Sequence, residues 1–171
     1  MKNKFTILGD YVEIELQNGL KTLIDLEDLE KVSIMGWYAK YDSHTDGYYV
    51  CGGSSGIRLH RLIMDTPSHQ IVDHINRNRL DCRRSNMRIV TRKENSINRG
   101  IQSNNNSGIT GVYFTNGYWI ARLKREEIHL LKYYKNKEDA INQRLLWEIE
   151  YFGDYAPQIN VGGNINENSL I

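Results

Sequence analysis

The stretch from Ile71 to Asn95 constrains this chain more than any other. Ile71-Val72 reads as the end of a strand that delivers Asp73 and His74. A polar loop rich in Asn and Arg follows, and Met87 to Val90 reads as a second strand. Thr91 with Glu94 three residues later is a capping box, which starts a helix and puts Asn95 in its first turns. Strand, loop, strand and helix fold back within a short length, and that path can bring Asp73, His74 and Asn95 together. The side chains suit one chemistry. A carboxylate and an amide oxygen are hard ligands for Mg²⁺ or Mn²⁺, and a neutral imidazole beside them is a competent general base near neutral pH.

The charge map points the same way. The formal net charge of the 171 residues is only +1, but it is unevenly spread. Residues 1–50 carry 5 basic and 9 acidic side chains, residues 51–99 carry 10 and 4, and residues 100–171 carry 7 and 8. Nine of the ten cations in the middle segment are arginine, whose planar fork suits phosphate oxygens and guanine edges. A solvated basic face is the plain alternative for such a cluster.

The stretch resembles the HNH endonucleases, or ββα-metal nucleases, and within them the phage and intron homing type. Val72-Asp73-His74 stands for the first part of the motif, Asn86 thirteen residues after Asp73 for the second, and Asn95 nine further on for the third. Leu59-His60-Arg61-Leu62-Ile63 matches the lead-in, and Asp81 to Arg88 matches the segment rich in Asn, Arg and Leu before the helix. The resemblance covers about residues 57–99. It implies that His74 is the general base and that Asp73 and Asn95 hold one divalent cation, Mg²⁺ or alternatively Mn²⁺. It implies that Asn86 orders the loop and so positions His74. Asn98, one turn beyond Asn95, is an alternative ligand. The third motif position is Asn95 where many members have His, as the homing subgroup also shows. Many relatives carry structural zinc on paired CxxC motifs. This chain has only Cys51 and Cys82, so no zinc is expected, and Cys82 reads as an inert loop residue.

Around this core the sequence predicts an α+β chain in pieces: a β-rich scaffold segment at 1–56, the nuclease core at 57–99, a linker at 100–107, a DNA-binding module at 108–157 and a flexible tail at 158–171. Tyr11 to Leu16 alternates, Asn18-Gly19 is a hairpin signal, and Lys21 to Ile24 can return as its partner. Asp25 to Met35 reads as a short acidic helix with Leu26, Leu29 and Val32 on one face. Trp37 to Tyr41 and Tyr48 to Cys51 read as strands joined through Asp46-Gly47, with Trp37 and Tyr38 expected to pack. Gly52 to Gly56 is a flexible connector and the first candidate boundary. The acidic segment is expected to be scaffold or a dimer surface rather than a phosphate contact.

Beyond the linker, Ile109 to Phe114, Tyr118 to Lys124 and Ile128 to Tyr134 read as strands, with Asn116-Gly117 as the first turn. Asn136 is a fitting helix N-cap, Ile141, Leu145, Ile149 and Phe152 form an apolar stripe, and Gly153 ends it. This module resembles the APETALA2 or ethylene-response-factor DNA-binding domain through Ser107 to Val112, Trp119 to Leu123, His129-Leu130 with Tyr133, and Lys137 to Ala140. The resemblance implies a sheet lying in the DNA major groove. Alternation leaves Tyr113, Thr115, Arg122, Lys124 and His129 outward; Trp119 serves either DNA or the core. Plant members carry arginines where Tyr113 and Thr115 stand, so their sequence preference does not transfer.

The expected function is a metal-dependent, site-specific endonuclease on double-stranded DNA, of homing or restriction type, leaving 3′-hydroxyl and 5′-phosphate ends. Arg61, Arg77, Arg79, Arg83, Arg84, Arg88 and Arg92 are the expected DNA contacts of the core. Arg61, with His60, reads as a residue that packs or touches phosphate rather than one that does chemistry. A non-cleaving DNA-binding regulator with a vestigial core is the other reading. No apolar run approaches the ~18 residues of a membrane span, and Met1 to Phe5 lacks a secretory apolar region, so a cytoplasmic monomer or homodimer without a membrane partner is expected.

Overall fold

A computed structural model describes residues 2–97 and 105–157. The alternative ligand Asn98, the first part of the expected linker and the expected tail lie outside the described residues. The fold is α+β, and the chain divides into two compact units, Met1–Asn95 and Ser96–Ile171.

The first unit opens on an antiparallel sheet of β1 (Phe5–Leu8), β2 (Tyr11–Glu15) and β3 (Lys21–Asp25). In β2, Val12 and Ile14 are fully buried while their neighbours face outward, as alternation requires. Strand β1 was not foreseen, because all four of its residues are exposed and carry no alternation. Asn18 takes a positive φ of 61° in the tight turn between β2 and β3. The predicted acidic helix is shorter than expected: a 3-10 turn at Leu26–Asp28 precedes α1, Leu29–Val32. Val32 is buried but Leu26 is exposed.

Next come β4 (Trp37–Asp42), β5 (Gly47–Gly52), β6 (Ile57–Arg58) and α2 (Leu59–Ile63). Trp37 is buried and donates its indole N–H to the Val32 carbonyl at 2.8 Å. Tyr38, expected to pack, points outward from the same strand. The Gly52–Gly56 segment is a turn inside this sheet, with Gly52 paired to Ile57. The hairpin β7 (Ile71–His74) and β8 (Met87–Val90) then leads into α3, Arg92–Asn95. One hydrophobic core runs through all of this: Val12, Ile24, Val32 and Trp37 pack with Leu59, Ile63, Cys82 and Met87. The acidic β-rich segment and the basic core are therefore one folded body.

The second unit is a three-stranded antiparallel sheet, β9 (Val112–Thr115), β10 (Tyr118–Arg125) and β11 (Ile128–Tyr134), packed on α4, Lys137–Phe152. β9 starts three residues later than expected, because Asn105 to Gly111 forms turns. The Asn105 side-chain oxygen accepts from the Ser107 and Gly108 amides, and Gly111 adopts φ 82°. Asn116 and Gly117 both take positive φ in the β9–β10 turn, as the Asn-Gly signal predicts. The Asn136 side chain accepts from the Asp139 amide at 2.8 Å and caps α4. The apolar stripe of α4 needs one correction. Ile149 is exposed, and the buried face instead contains Arg144 and Glu148, paired at 2.8 Å.

Candidate active site

Four pairs set the register of the hairpin, with Asp73 opposite Arg88 and His74 opposite Met87. Neighbours along a strand face opposite ways, so Asp73 and His74 meet different partners. The Asp73 carboxylate accepts from the Arg88 guanidinium at 2.9 and 3.0 Å. His74 is 5% exposed and lies edge-on to His60, with ring centroids 5.2 Å apart.

Asn86 is the bolt of the loop. Its side-chain N–H donates to the Asp81 carbonyl at 2.8 Å, its side-chain oxygen accepts from the Asn76 amide at 2.9 Å, and its own carbonyl accepts from the Ile75 amide. The loop is thereby fixed at both ends beside His74. The capping box forms as read: the Glu94 amide donates to the Thr91 hydroxyl, and the Glu94 carboxylate accepts from the Thr91 amide at 2.7 Å. The helix it starts, which ends at Asn95, packs against both β7 and β8.

Burial sets the protonation of the two imidazoles. It pushes His74 down to about 4, against the pull of Asp73 and with help from Arg79. It pushes His60 down to about 3, helped by His74, Arg58 and Arg61. Both rings are neutral at neutral pH. His60 is half of a pair that the sequence did not single out; the lead-in Leu59-His60-Arg61 was the signal. Burial also pushes the Cys82 thiol up to about 12, and that side chain is fully buried in the core as an inert residue.

Most arginines expected on DNA have carboxylate or carbonyl partners. Arg61 donates to the Pro67 and Gln70 carbonyls and ties down the loop before β7. Arg83 forks onto Asp81 with two bonds of 2.8 Å. Burial pushes the Asp81 carboxyl up, but the Arg83 fork and Asn76 override it and leave it lowered. Arg84 forks onto Asp28 at 2.7 and 2.9 Å, lies 3.0 Å from Glu27, and gives its amide to Asp25. Arg88 holds Asp73. The acidic first segment supplies three of these partners, and the opposite signs of neighbouring segments were the sequence signal for that pairing. Arg77 sits at a positive φ of 63° in the loop, and Arg92 is exposed on α3.

In the second unit, Tyr113, Arg122, Lys124 and His129 are exposed and Thr115 is half-buried. Antiparallel register puts all five on the sheet face that also carries Tyr118, Leu131 and Tyr133. Trp119 does not join them. It shares a face with Ala121 and Leu123, pairs opposite Phe114, and packs toward α4.

Among the described residues, no three His, Cys, Asp or Glu side chains cluster as a metal cage. Asp73 and Asn95 fit a different kind of site. They offer one carboxylate and one amide oxygen, both hard donors, and such cations complete their shell with water and substrate phosphate. No helix among the described residues is long and apolar enough to cross a membrane.

The HNH endonuclease family model matches residues 65–97. An HNH endonuclease of Acanthamoeba polyphaga mimivirus, described as uncharacterized, is 30% identical over 158 residues, covering 89% of this chain and 78% of that protein. No solved structure matches the chain. A relative of that identity and cover, with a family match that spans Asp73, His74, Asn86 and Asn95, shows that the chain belongs to the HNH endonuclease family.

Proposed function

We propose that the protein is a divalent-metal-dependent endonuclease that hydrolyses phosphodiester bonds of double-stranded DNA, with His74 as general base. The observation that carries this reading is the neutral, buried His74 at the end of β7, next in sequence to Asp73 and locked from the loop side by Asn86. A neutral imidazole can take the proton of an attacking water. Asp73 and Asn95 would hold the cation, Mg²⁺ or Mn²⁺. Bound there, it would offset charge on the scissile phosphate and the leaving 3′ oxygen. Arg88 orients the Asp73 carboxylate through its two hydrogen bonds. Attack by water with departure of the 3′ oxygen leaves 3′-hydroxyl and 5′-phosphate ends.

The outward face of the C-terminal sheet is the proposed targeting surface. Arg122 and Lys124 supply charge for phosphates, and the exposed Tyr113, Tyr118 and Tyr133 supply groups that can reach base edges. The APETALA2-like comparison and a homing or restriction role belong to this proposal.

The test is plasmid cleavage in Mg²⁺ against EDTA, with wild type, His74→Ala and Asp73→Ala compared. Wild type is expected to cut only with the metal, and both variants to lose at least a hundredfold in rate, the lower range of general acid–base catalysis. Equal cutting by all three proteins would remove His74 and Asp73 from the mechanism.

A further inference from the structure

We propose that Arg58 and Arg79, gathered on the ring of Tyr49, form a clamp for a backbone phosphate of the DNA beside the cutting site. The inference rests on the nuclease reading above and adds Arg58, which was not among the expected DNA contacts, with a ring from the acidic segment to hold it.

Tyr49 lies in β5, and Arg58 is the residue before α2. The Arg58 guanidinium carbon is 3.9 Å from the Tyr49 ring centroid, and that of Arg79 is 4.8 Å away. Two cations are thus held within 5 Å of one aromatic ring. The ring's negative face offsets part of their charge, but their mutual repulsion remains. Carboxylates do little to relieve it. Asp42 approaches Arg58 only to 3.9 Å, and Arg79 makes no ion pair among the described residues. Its hydrogen bond runs to the Thr45 carbonyl at 3.3 Å. The contrast with Arg83, Arg84 and Arg88, each forked onto a carboxylate within 3 Å, is sharp.

The placement relative to the catalytic base is what identifies the anion. Tyr49 is 5.8 Å from His60, and His60 is 5.2 Å from His74. A row of rings therefore runs from the two guanidiniums to the base, with the buried His60 filling the middle. An anion seated on Arg58 and Arg79 is two ring contacts, Tyr49 to His60 and His60 to His74, from the base that would deprotonate the attacking water. In a duplex substrate that anion is a neighbouring backbone phosphate. Guanidinium forks bind phosphate oxygens through paired N–H donors.

The experiment measures binding and cutting separately. Binding of a short labelled duplex is followed by fluorescence anisotropy in EDTA across a salt series, where cleavage is blocked. Arg58→Ala and Arg79→Ala are each expected to lower the slope of log affinity against log salt, and the double variant to lower it by about one in total, the count of a single phosphate. In Mg²⁺ each should raise KM for plasmid cleavage more than it lowers kcat. Arg79→Lys should keep the slope, since it preserves the charge. Thermal unfolding is recorded for each variant, and Arg79→Lys keeps the test open if an alanine variant fails to fold. Unchanged slopes in folded alanine variants, or a lost slope in Arg79→Lys, would overturn the clamp. Those outcomes leave the nuclease reading intact as long as His74→Ala stays inactive. Cutting by His74→Ala at the wild-type rate would instead remove His74 as the base, and with it the place of the clamp beside the cutting site, whatever the slopes.

Discussion

At the scale of single residues, two buried imidazoles in edge contact dominate the site. The ring of His60 is 5% exposed, and its Nδ1 has no hydrogen-bond partner among the described residues. Both rings stay neutral when folded, with His60 lowered to about 3 and His74 to about 4. In the unfolded chain they titrate near 6.5. Their contribution to stability is therefore complete above pH 6.5 and is lost as pH falls from there toward the folded values, because the unfolded chain takes up protons first. Replacing His60 with Phe removes one of the two groups and keeps a ring against His74. The expected result is a shallower loss of unfolding free energy between pH 7 and pH 4.5, by up to about 1.4 kcal/mol per pH unit, read by urea titration at several pH values. Parallel curves for wild type and His60→Phe would show that His60 does not titrate on unfolding. Asn86 is the second test at this scale. Asn86→Ala strands the Asp81 carbonyl and the Asn76 amide, and each buried group left unsatisfied costs about 1–3 kcal/mol. A loss of that size in urea, together with a cleavage rate reduced at least tenfold in protein that is still folded, is expected. Full activity with normal stability would mean the loop does not need its bolt.

At the scale of elements, α3 is a helix of only four residues and cannot hold itself by its own backbone bonds. It depends on the capping box and on its contacts with β7 and β8. Thr91→Ala removes the cap and is expected to cost about 1 kcal/mol. Because Asn95 rides on this helix, cleavage should fall by more than the stability loss alone explains, and Thr91→Ser should restore it. Equal cleavage by Thr91→Ala and wild type would separate Asn95 from the reaction. This element also marks what a sequence can tell. β7, β8 and the box are written in local signals: an alternation, a turn-forming loop, and Thr three residues before Glu. The Asn116-Gly117 turn and the Asn136 cap are local in the same sense. Strand β1 carries no such signal, since none of its side chains is buried. Ile149 falls on the apolar stripe of α4, yet the face that meets the sheet takes in Arg144 and Glu148, whose mutual pairing lets them be buried. The exposed Tyr38 and the paired Arg84 are likewise settled by neighbours distant in sequence. Local pattern gives the elements of the site; partners across the fold decide which charges remain for a substrate.

At the scale of the whole molecule, cutting and targeting are proposed to reside in separate compact units, each with a hydrophobic core of its own. The +1 total conceals how the first unit is made: its acidic β-rich segment absorbs arginines of the basic core, as the Arg84 fork onto Asp28 shows. Fewer cations are left for general attraction to DNA than the sequence count suggests. On the proposed reading, selective binding comes from local contacts, above all from the outward face of the C-terminal sheet. Gly111 offers a way to separate the two units in one experiment. It adopts φ 82°, where an L side chain is strained, and a Cβ there would run into the Arg122 carbonyl oxygen and lie 2.8 Å from the buried Arg144 Nε. Gly111→Ala should therefore unfold the second unit at a lower temperature while the first unit melts as before, a difference that calorimetry or hydrogen exchange resolves. Cleavage adds the functional half of the prediction. With targeting lost and the Asp73–His74 site intact, Gly111→Ala should still nick plasmid in Mg²⁺, but at scattered positions in place of a preferred one, and the cut sites can be mapped by sequencing. If the variant keeps its preferred position with its second unit unfolded, selectivity belongs to the first unit, and the aromatic sheet face needs another partner. If nicking itself disappears while the first unit melts normally, the two units act as one catalyst.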